Sequence, residues 1–133
     1  MSTFHLKIVT PDRMVFDSEA ESVIARTVVG DVCILARHTE YITPLSIGQV
    51  KVKKDGKMRI ASTSGGTLVV TGGEATIVAD TFEWQDEIDV ERAQKAKEKA
   101  EERMNNHETE YEFKLAELKL KRAINRIRTG SLK

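Results

Sequence analysis

The chain of 133 residues changes its pattern once, at Trp84, and this change constrains the fold more than any other feature. Before Trp84, short apolar runs alternate with turn signals that contain glycine or proline. After Trp84 there is no proline, and the next glycine is Gly130. Short alternating runs are typical of antiparallel sheets, and long charged segments without helix breakers are typical of helices. We therefore predict a β domain over residues 1–84 and a helical domain over residues 85–133.

The β domain shows the alternation and the turns of a sheet with one buried face. Phe4, Leu6 and Ile8 alternate with His5 and Lys7, and a two-residue turn at Gly72-Gly73 pairs Leu68 with Ile77. No helical pattern separates the many short strands. This arrangement favours an antiparallel β-sandwich or flattened barrel over a parallel sheet.

A second hairpin, around residues 54–56, admits two registers. A two-residue turn would place Val52 opposite Arg59. A three-residue loop with Gly56 in the left-handed conformation instead pairs Val52 with Met58 on one apolar face. We predict the three-residue loop because it keeps the apolar side chains together.

The overall charge and the single cysteine restrict the class of protein. Lys and Arg number 21 and Asp and Glu number 21, so the basic surface of a nucleic-acid binder is not expected. Cys33 lies in an apolar run, which predicts a small core residue in a reducing compartment. No segment has the pattern of a signal peptide or a membrane span. We expect a soluble intracellular protein without direct membrane insertion.

The helical domain is predicted to be an antiparallel pair of helices. Asp89 is placed to cap the first helix, because its carboxylate can accept the free amides of the following turn. Residues 105–107 interrupt the pattern, and the second helix is expected from about Glu108 until Gly130 offers a stop. The predicted contact faces have helical spacing and small residues: Val90, Ala93, Ala96, Ala100 and Met104, then Phe113, Ala116, Leu120, Ala123 and Ile127.

The hairpin is expected to be mobile until it docks on a partner, because two such helices cannot bury all their large apolar side chains against each other. A second edge of the later helix begins apolar and ends basic: Tyr111, Leu115, Leu118, Arg122 and Arg126. After Glu117 come six cations and no acidic residue: Lys119, Lys121, Arg122, Arg126, Arg128 and Lys133. Two interpretations stay open: the cations face solvent and complement the helix dipole, or they form an anion-binding tip.

The candidate chemistry of the chain is binding and not catalysis. No Gly-x-x-x-x-Gly-Lys-Ser/Thr loop occurs, no nucleophile, base and orienting group form a set, and the three histidines lack metal-ligand spacing. Guanidinium groups on converging surfaces can nevertheless hold a phosphate chain. Arg92 in the first helix would converge with Arg122 and Arg126 in the second if the helices fold together.

Several segments occur in a distinctive order: Val9-Thr10-Pro11-Asp12, Val15-Phe16-Asp17, Gly30-Asp31-Val32-Cys33-Ile34-Leu35 with His38, Ser64-Gly65-Gly66, Val78-Ala79-Asp80-Thr81 and Ile88-Asp89-Val90-Glu91-Arg92-Ala93. In this order and spacing they resemble the epsilon subunit of bacterial-type rotary F-type ATP synthases over nearly the whole chain. Two positions depart from the family pattern. Ala36-Arg37 stands where a Pro-Gly turn is common, and Thr67 replaces a large apolar residue.

The resemblance implies a coupling role for the β domain. It would join the gamma subunit to the polar loops of the membrane rotor c-ring, and Asp31 and His38 match the ring-facing end. Taken alone, these two residues are an ordinary turn acid and a surface imidazole. The resemblance also implies a non-catalytic, peripheral membrane protein on the cytoplasmic face of the bacterial plasma membrane.

The resemblance further implies a regulatory ATP site that requires no metal. Positions 88, 89, 92 and 93 match the family's nucleotide-binding signature, one acidic residue lies on the adenine side, and two arginines face the phosphates. The residues concerned are Glu83, Ile88, Asp89, Arg92, Ala93, Lys99, Arg122 and Arg126. Without the resemblance, Asp89 is a simple helix cap and Arg92 a surface cation.

The implied mechanism is a switch of the hairpin. Held down by ATP, the hairpin leaves the motor free to turn; extended along gamma, its basic tip meets acidic loops of the catalytic alpha and beta subunits and blocks ATP hydrolysis. The tip consists of Lys119, Lys121, Arg122, Arg126 and Arg128. Two other functions stay open: a free-standing ATP-sensing module that controls an unrelated partner, and a structural coupling subunit whose hairpin does not switch.

Overall fold

The computed structural model describes residues 2–132 and divides the chain into two compact units, Met1–Trp84 and Gln85–Lys133. Lys133, one of the six late cations, lies outside the described residues. The first unit contains nine strands: β1 Phe4–Val9, β2 Met14–Ala20, β3 Ser22–Thr27, β4 Gly30–Leu35, β5 Tyr41–Lys54, β6 Lys57–Thr63, β7 Gly66–Thr71, β8 Glu74–Ala79 and β9 Phe82–Trp84. The second contains a single 3-10 turn, Gln85–Glu87, and two helices, α1 Val90–Asn105 and α2 Glu110–Gly130. The predicted fold class, a β-sandwich followed by two helices, is confirmed.

The strands form one continuous hydrogen-bonded path that folds into two layers. Its order is β2-β1-β8-β7-β5-β3-β4, and β6 and β9 continue from β5. The 14-residue strand β5 pairs with β7 along its first part and with β3 and β6 along its second, so it belongs to both layers. Among the described strands, β1 and β8 run parallel, an exception to the predicted antiparallel pairing.

Large apolar side chains fill the space between the layers. Leu68 and Ile77 face each other across β7 and β8, and both are fully buried. The predicted two-residue turn at Gly72-Gly73 is confirmed, and both glycines have the positive φ that such a turn requires. Burial of a side chain of this size stabilises the fold by about 1.5–3 kcal/mol.

The predicted three-residue loop around residues 54–56 is wrong. Val52 pairs with Arg59 across a two-residue turn in which Asp55 and Gly56 both have positive φ. The guanidinium carbon of Arg59 lies 3.8 Å from the centroid of the Trp84 ring, so a cation–π contact covers this face. Met58 lies outside the core, and its side chain is 48% exposed.

The prediction that Cys33 is a core residue is also wrong, because its thiol side chain is exposed. Strand β4 lies at the end of the sheet path and alternates strictly, so Ile34 points inward and Cys33 outward. An apolar run on an edge strand therefore does not imply burial of every member.

The two helices begin with side-chain caps. Asp89 Oδ1 accepts a hydrogen bond of 3.0 Å from the Arg92 amide, as predicted. The second helix begins later than predicted, at Glu110, because Thr109 caps it through a 3.1 Å bond from the Glu112 amide. No helix among residues 2–132 is long and apolar enough to cross a membrane.

The contact face of the hairpin is built mainly from alanines, as predicted. The buried residues of the two helices are small or polar: Ala93, Ala100, Ala116, Ala123, Asn125 and Thr129. The larger members of the predicted face, such as Phe113 and Leu120, are only half-buried. Ala96 departs from the prediction because it is exposed on the wall of an open groove.

Candidate functional site

A groove of about 360 Å³ runs between α1 and α2. Short alanine side chains leave room at its base, and long basic side chains surround it. The lining residues are Ala96, Lys99, Ala100, Arg103, Lys119, Arg122, Ala123 and Arg126. Five cations and no carboxylate therefore share one concave surface.

Helical spacing explains why these cations converge. Lys99 and Arg103 are four residues apart on α1, and Arg122 and Arg126 are four apart on α2, so each pair lies on one helical edge. Antiparallel packing brings the two edges together. Like charges at this spacing destabilise a helix by about 0.2–0.5 kcal/mol per pair, and a bound anion would remove that cost.

Most of these cations have no acidic partner. Within residues 2–132, no ion pair involves Lys99, Arg103, Lys119 or Arg122. Lys121 differs, because its Nζ lies 3.9 Å from Glu117 Oε1. Such unpaired groups on a concave surface are suited to phosphate or carboxylate oxygens, since arginine binds both in bidentate fashion.

The structure brings three residues of the predicted ATP site together, Lys99, Arg122 and Arg126. Arg92 is exposed and lies one turn before Ala96, on the same edge of α1 but outside the lining.

The other predicted ATP-site residues have different surroundings. The Asp89 carboxylate caps α1, Ala93 is fully buried and Ile88 is half-buried. Glu83 belongs to β9 of the β domain, and its role stays a prediction.

Arg103 was missed from the sequence, and Lys119 was assigned only to the inhibitory tip. Both also line a second cavity of about 480 Å³ that continues the groove toward the turn between the helices. The signal was present, because Arg103 follows Lys99 by four residues and Lys119 precedes Arg122 by three. Extending the helical edges in both directions would have found them.

The predicted tip residues divide into two groups. Lys119, Arg122 and Arg126 line the groove. Lys121 pairs with Glu117, and Arg128 is exposed in the last turn of α2, where a cation complements the helix dipole. Among the described residues, no cluster of three or more His, Cys, Asp or Glu side chains could hold a metal ion.

In the β domain, Asp31 is held by an ion pair and is not a free carboxylate. Arg26 Nε lies 3.0 Å from Asp31 Oδ1, across directly opposed positions of β3 and β4. Gly48 makes room for Arg26, because a Cβ there would lie 2.6 Å from Arg26 Cβ. The Nδ1–H of His38 donates to the Thr39 carbonyl oxygen over 2.8 Å.

Strand β4 separates Asp31 from His38. Asp31 lies near its start, and His38 follows the turn after Leu35. At about 3.3 Å per residue, Asp31 and Leu35 are roughly 13 Å apart. Any surface that includes both predicted ring contacts therefore runs along the edge strand.

The turn before β4 presents two valines that the sequence analysis missed. Val28 is 72% exposed and Val29 is 89% exposed. Thr27 fixes this turn, because its hydroxyl donates to the Gly30 carbonyl oxygen at 2.7 Å and accepts from the Val29 amide at 3.2 Å. The signal was an apolar doublet directly before a turn glycine.

Two family models match the chain in sequence. The beta-sandwich domain of the ATP synthase delta/epsilon chain matches residues 3–85, and the long alpha-helix domain of the same chain matches residues 86–130. A protein named ATP synthase epsilon chain from Bacillus velezensis is 43% identical over 127 residues, which cover 96% of each chain. Its namesake from Caldicellulosiruptor bescii is 39% identical over 128 residues, covering 96% of this chain and 93% of the relative.

Solved structures show the same fold at low sequence identity. A chain in the mitochondrial ATP synthase of Euglena gracilis, solved with its F1 and c-ring, superposes with a TM-score of 0.80 at 24% identity, covering 91% of this chain and 77% of that one. A chain of the central stalk and c-ring structure from Tetrahymena thermophila has a TM-score of 0.71 at 12% identity, covering 96% of each. The fold, a sandwich followed by helices along the chain, is therefore shared across distant sequences.

Proposed function

The chain belongs to the ATP synthase delta/epsilon chain family, and on this premise we propose that it is a central-stalk subunit that couples the rotor and restrains ATP hydrolysis. The β domain binds the gamma subunit and the c-ring, and the hairpin regulates the catalytic alpha and beta subunits. The observation that carries the regulatory part is the groove of five cations between the two helices.

The proposed coupling surface lies along the edge strand β4. Its outward side chains Asp31, Cys33 and Leu35 are exposed, and the Val28-Val29 turn continues the same edge. Because Asp31 already pairs with Arg26, the surface offers a neutralised pair beside apolar groups, which suits the polar loops of a ring better than a single charge would. In this role the subunit works at the cytoplasmic face of the bacterial plasma membrane through its neighbours.

The proposed switch follows from the position of the groove. Both helices contribute cations, so the groove exists only while the helices are packed together. An anion such as the phosphate chain of ATP therefore binds the packed hairpin better than the separated one. At about 100 times its Kd, such a ligand favours the packed state by about 2.7 kcal/mol.

The same cations serve the inhibitory state. Lys119, Arg122 and Arg126 line the groove and also belong to the basic tip that would meet acidic loops of the catalytic subunits. A bound phosphate chain and an acidic loop compete for these side chains, so nucleotide and inhibition exclude each other. Lys121 and Arg128 contribute to the tip alone.

Truncation tests the inhibitory role. We expect the assembled ATP synthase with a chain ending after Asp86 to retain coupling and to hydrolyse ATP faster than the complex with the full chain. The β domain contains its own core, so its contacts should survive the truncation. Unchanged hydrolysis in an intact complex would remove the inhibitory role.

Calorimetry of the full chain tests the nucleotide site. We expect Arg122→Ala and Arg126→Ala each to weaken ATP binding about tenfold or more, since a charge-assisted hydrogen bond contributes about 1.5–3 kcal/mol. Arg128→Ala is the matched control, because it removes an exposed arginine outside the groove. Equal affinities in all variants would show that the groove is not the site.

A free-standing ATP-sensing module is the second candidate, favoured by the location of the whole groove within the hairpin. Such a module would bind ATP without a rotary ATPase. Co-purification with the other subunits of an ATP synthase would favour the proposed function over this module. The truncation distinguishes a third possibility, a coupling subunit whose hairpin does not switch, because removal of that hairpin would leave ATP hydrolysis unchanged.

A further inference from the structure

The last residue of α2 lies unusually close to the start of α1. A Cβ on Gly130 would lie 2.8 Å from Val90 Cγ2, 3.0 Å from Ile88 Cγ2 and 3.3 Å from Ile88 Cβ. To reach ordinary van der Waals contact, the Val90 methyl group or the segment that carries it would have to shift by about 0.6 Å. Only a residue without a side chain fits this approach unchanged.

The backbone conformation does not explain the glycine. Many helices end at a glycine with positive φ, but Gly130 is not among the positive-φ residues. It is still part of α2, and the cap is Ser131 in the right-handed conformation. The helix therefore ends at Gly130 as predicted, but Gly130 makes no left-handed turn. The glycine matters here because its missing side chain leaves room for Ile88 and Val90.

The contact lies at the start of α1, beyond the end of the basic groove. Arg126 lines the groove and precedes Gly130 by four residues, which is about 6 Å along α2. Arg92 lies outside the lining and follows Val90 by two residues in the first turn of α1. The packing of Gly130 on Ile88 and Val90 thus fixes the distance between the helices close to Arg92 and Arg126.

We propose that Gly130 is a positioning residue for the groove: it lets the helices approach closely enough for Arg92 and Arg126 to bind one phosphate chain. The part about binding rests on the proposed function. The ligand class is a nucleoside triphosphate, whose chain needs contacts from both helices at once. A side chain at position 130 would widen this end and weaken the contact from one helix.

Size complementation tests the inference in the full chain. We expect Gly130→Ala to weaken ATP binding about fivefold or more in calorimetry. Val90→Ala removes the nearest of the three contacts and leaves those of 3.0 and 3.3 Å with Ile88, so the double variant should bind ATP more tightly than Gly130→Ala and approach the affinity of Val90→Ala alone. Ser131→Ala, next to it and exposed, is the matched control and should leave the affinity unchanged.

Helix propensity alone predicts the opposite sign. Alanine favours a helix over glycine by about 1 kcal/mol, so Gly130→Ala should tighten the hairpin if close packing has no role. Unchanged or improved affinity would therefore overturn the inference. A double variant that binds as weakly as Gly130→Ala would overturn it too, because relief of the contact would not restore the site.

A ligand-free measurement separates this inference from the proposed function. Spin labels at Gln94→Cys and Arg128→Cys, in a Cys33→Ser background, report the separation of the two helices, and both positions are exposed. We expect Gly130→Ala to lengthen the label distance and the added Val90→Ala to shorten it again. If the original chain binds no ATP, the proposed site fails, while an unchanged label distance would show that Gly130 does not set the separation.

Discussion

The β domain buries leucine, isoleucine, valine, phenylalanine and tryptophan side chains in one core, whereas the helices bury alanines, an asparagine and a threonine. Three large side chains of α2, Tyr111, Leu115 and Leu118, stay 39–75% exposed. Since burial of a large side chain contributes about 1.5–3 kcal/mol, the sandwich has a reserve of stability that the hairpin lacks. The large apolar core is therefore confined to the sandwich, and the proposed switch concerns the unit that buries the smaller side chains.

The largest expected effect is the difference between the two units in the free energy of unfolding that is lost when a leucine is replaced by alanine. Leu68→Ala removes a fully buried side chain from the sandwich and should lower the free energy of unfolding by about 2–5 kcal/mol. Leu118→Ala, in the hairpin, should cost less than about 1 kcal/mol because that side chain is 42% exposed. Urea unfolding of the full chain measures both. Similar losses of unfolding free energy in the two variants would contradict the proposed difference in stability between the units.

Hydrogen exchange should show the contrast without substitution. We expect the backbone amides of α1 and α2 to exchange at least about 100-fold faster than those of β7 and β8, a difference of about 3 kcal/mol in opening free energy. ATP should slow the helices and leave the strands unchanged. Helices as well protected as the strands, with or without nucleotide, would mean that the hairpin is not a switch.

The cap of α1 separates local stability from ligand binding. Asp89→Ala removes the bond to the Arg92 amide and should lower the protection of α1 by about 1 kcal/mol. Asp89→Asn is the matched variant, because asparagine caps helices about as well but carries no charge. We expect it to keep the protection of α1 in hydrogen exchange. Equal loss in both variants would show that the carboxylate has a further role.

The smallest expected effect concerns the exposed apolar edge. Tyr111→Ala and Leu118→Ala should each lower the stability of the isolated chain by less than about 1 kcal/mol, since neither side chain is buried. In the assembled complex they should weaken inhibition, if this edge docks on a partner. A large loss of stability in the isolated chain would instead make the edge part of the hairpin's own packing.

The division of the fold could be predicted because it depends on local signals. The segment after Trp84 contains no proline and no glycine before Gly130, and the Gly72-Gly73 turn fixes its own register through positive φ. The register at Asp55-Gly56 was missed although a local signal for it was present, because Asp-Gly favours a two-residue turn with positive φ at both positions. The apolar pairing of Val52 with Met58 was given more weight than this dipeptide, and the contact of Arg59 with Trp84, 25 positions later, is not visible in the local pattern.

The candidate site was predicted in part for a related reason. Arg122 and Arg126 were found because they share one helical edge. Arg103 was missed because the edge of α1 was followed only as far as Lys99, although Arg103 continues that edge four residues later. The close packing at Gly130 was not predicted, because glycine at a helix end usually provides a left-handed turn and was interpreted as one.

Strand β5 has a mechanical consequence for the proposed coupling role. A load applied at β4 passes through β3 into β5, and from there directly into β6 and β7. In that role, the fourteen residues of one strand would distribute a torque over both layers through rows of backbone hydrogen bonds. These bonds share the force in parallel, so twisting the sandwich would require many of them to yield together.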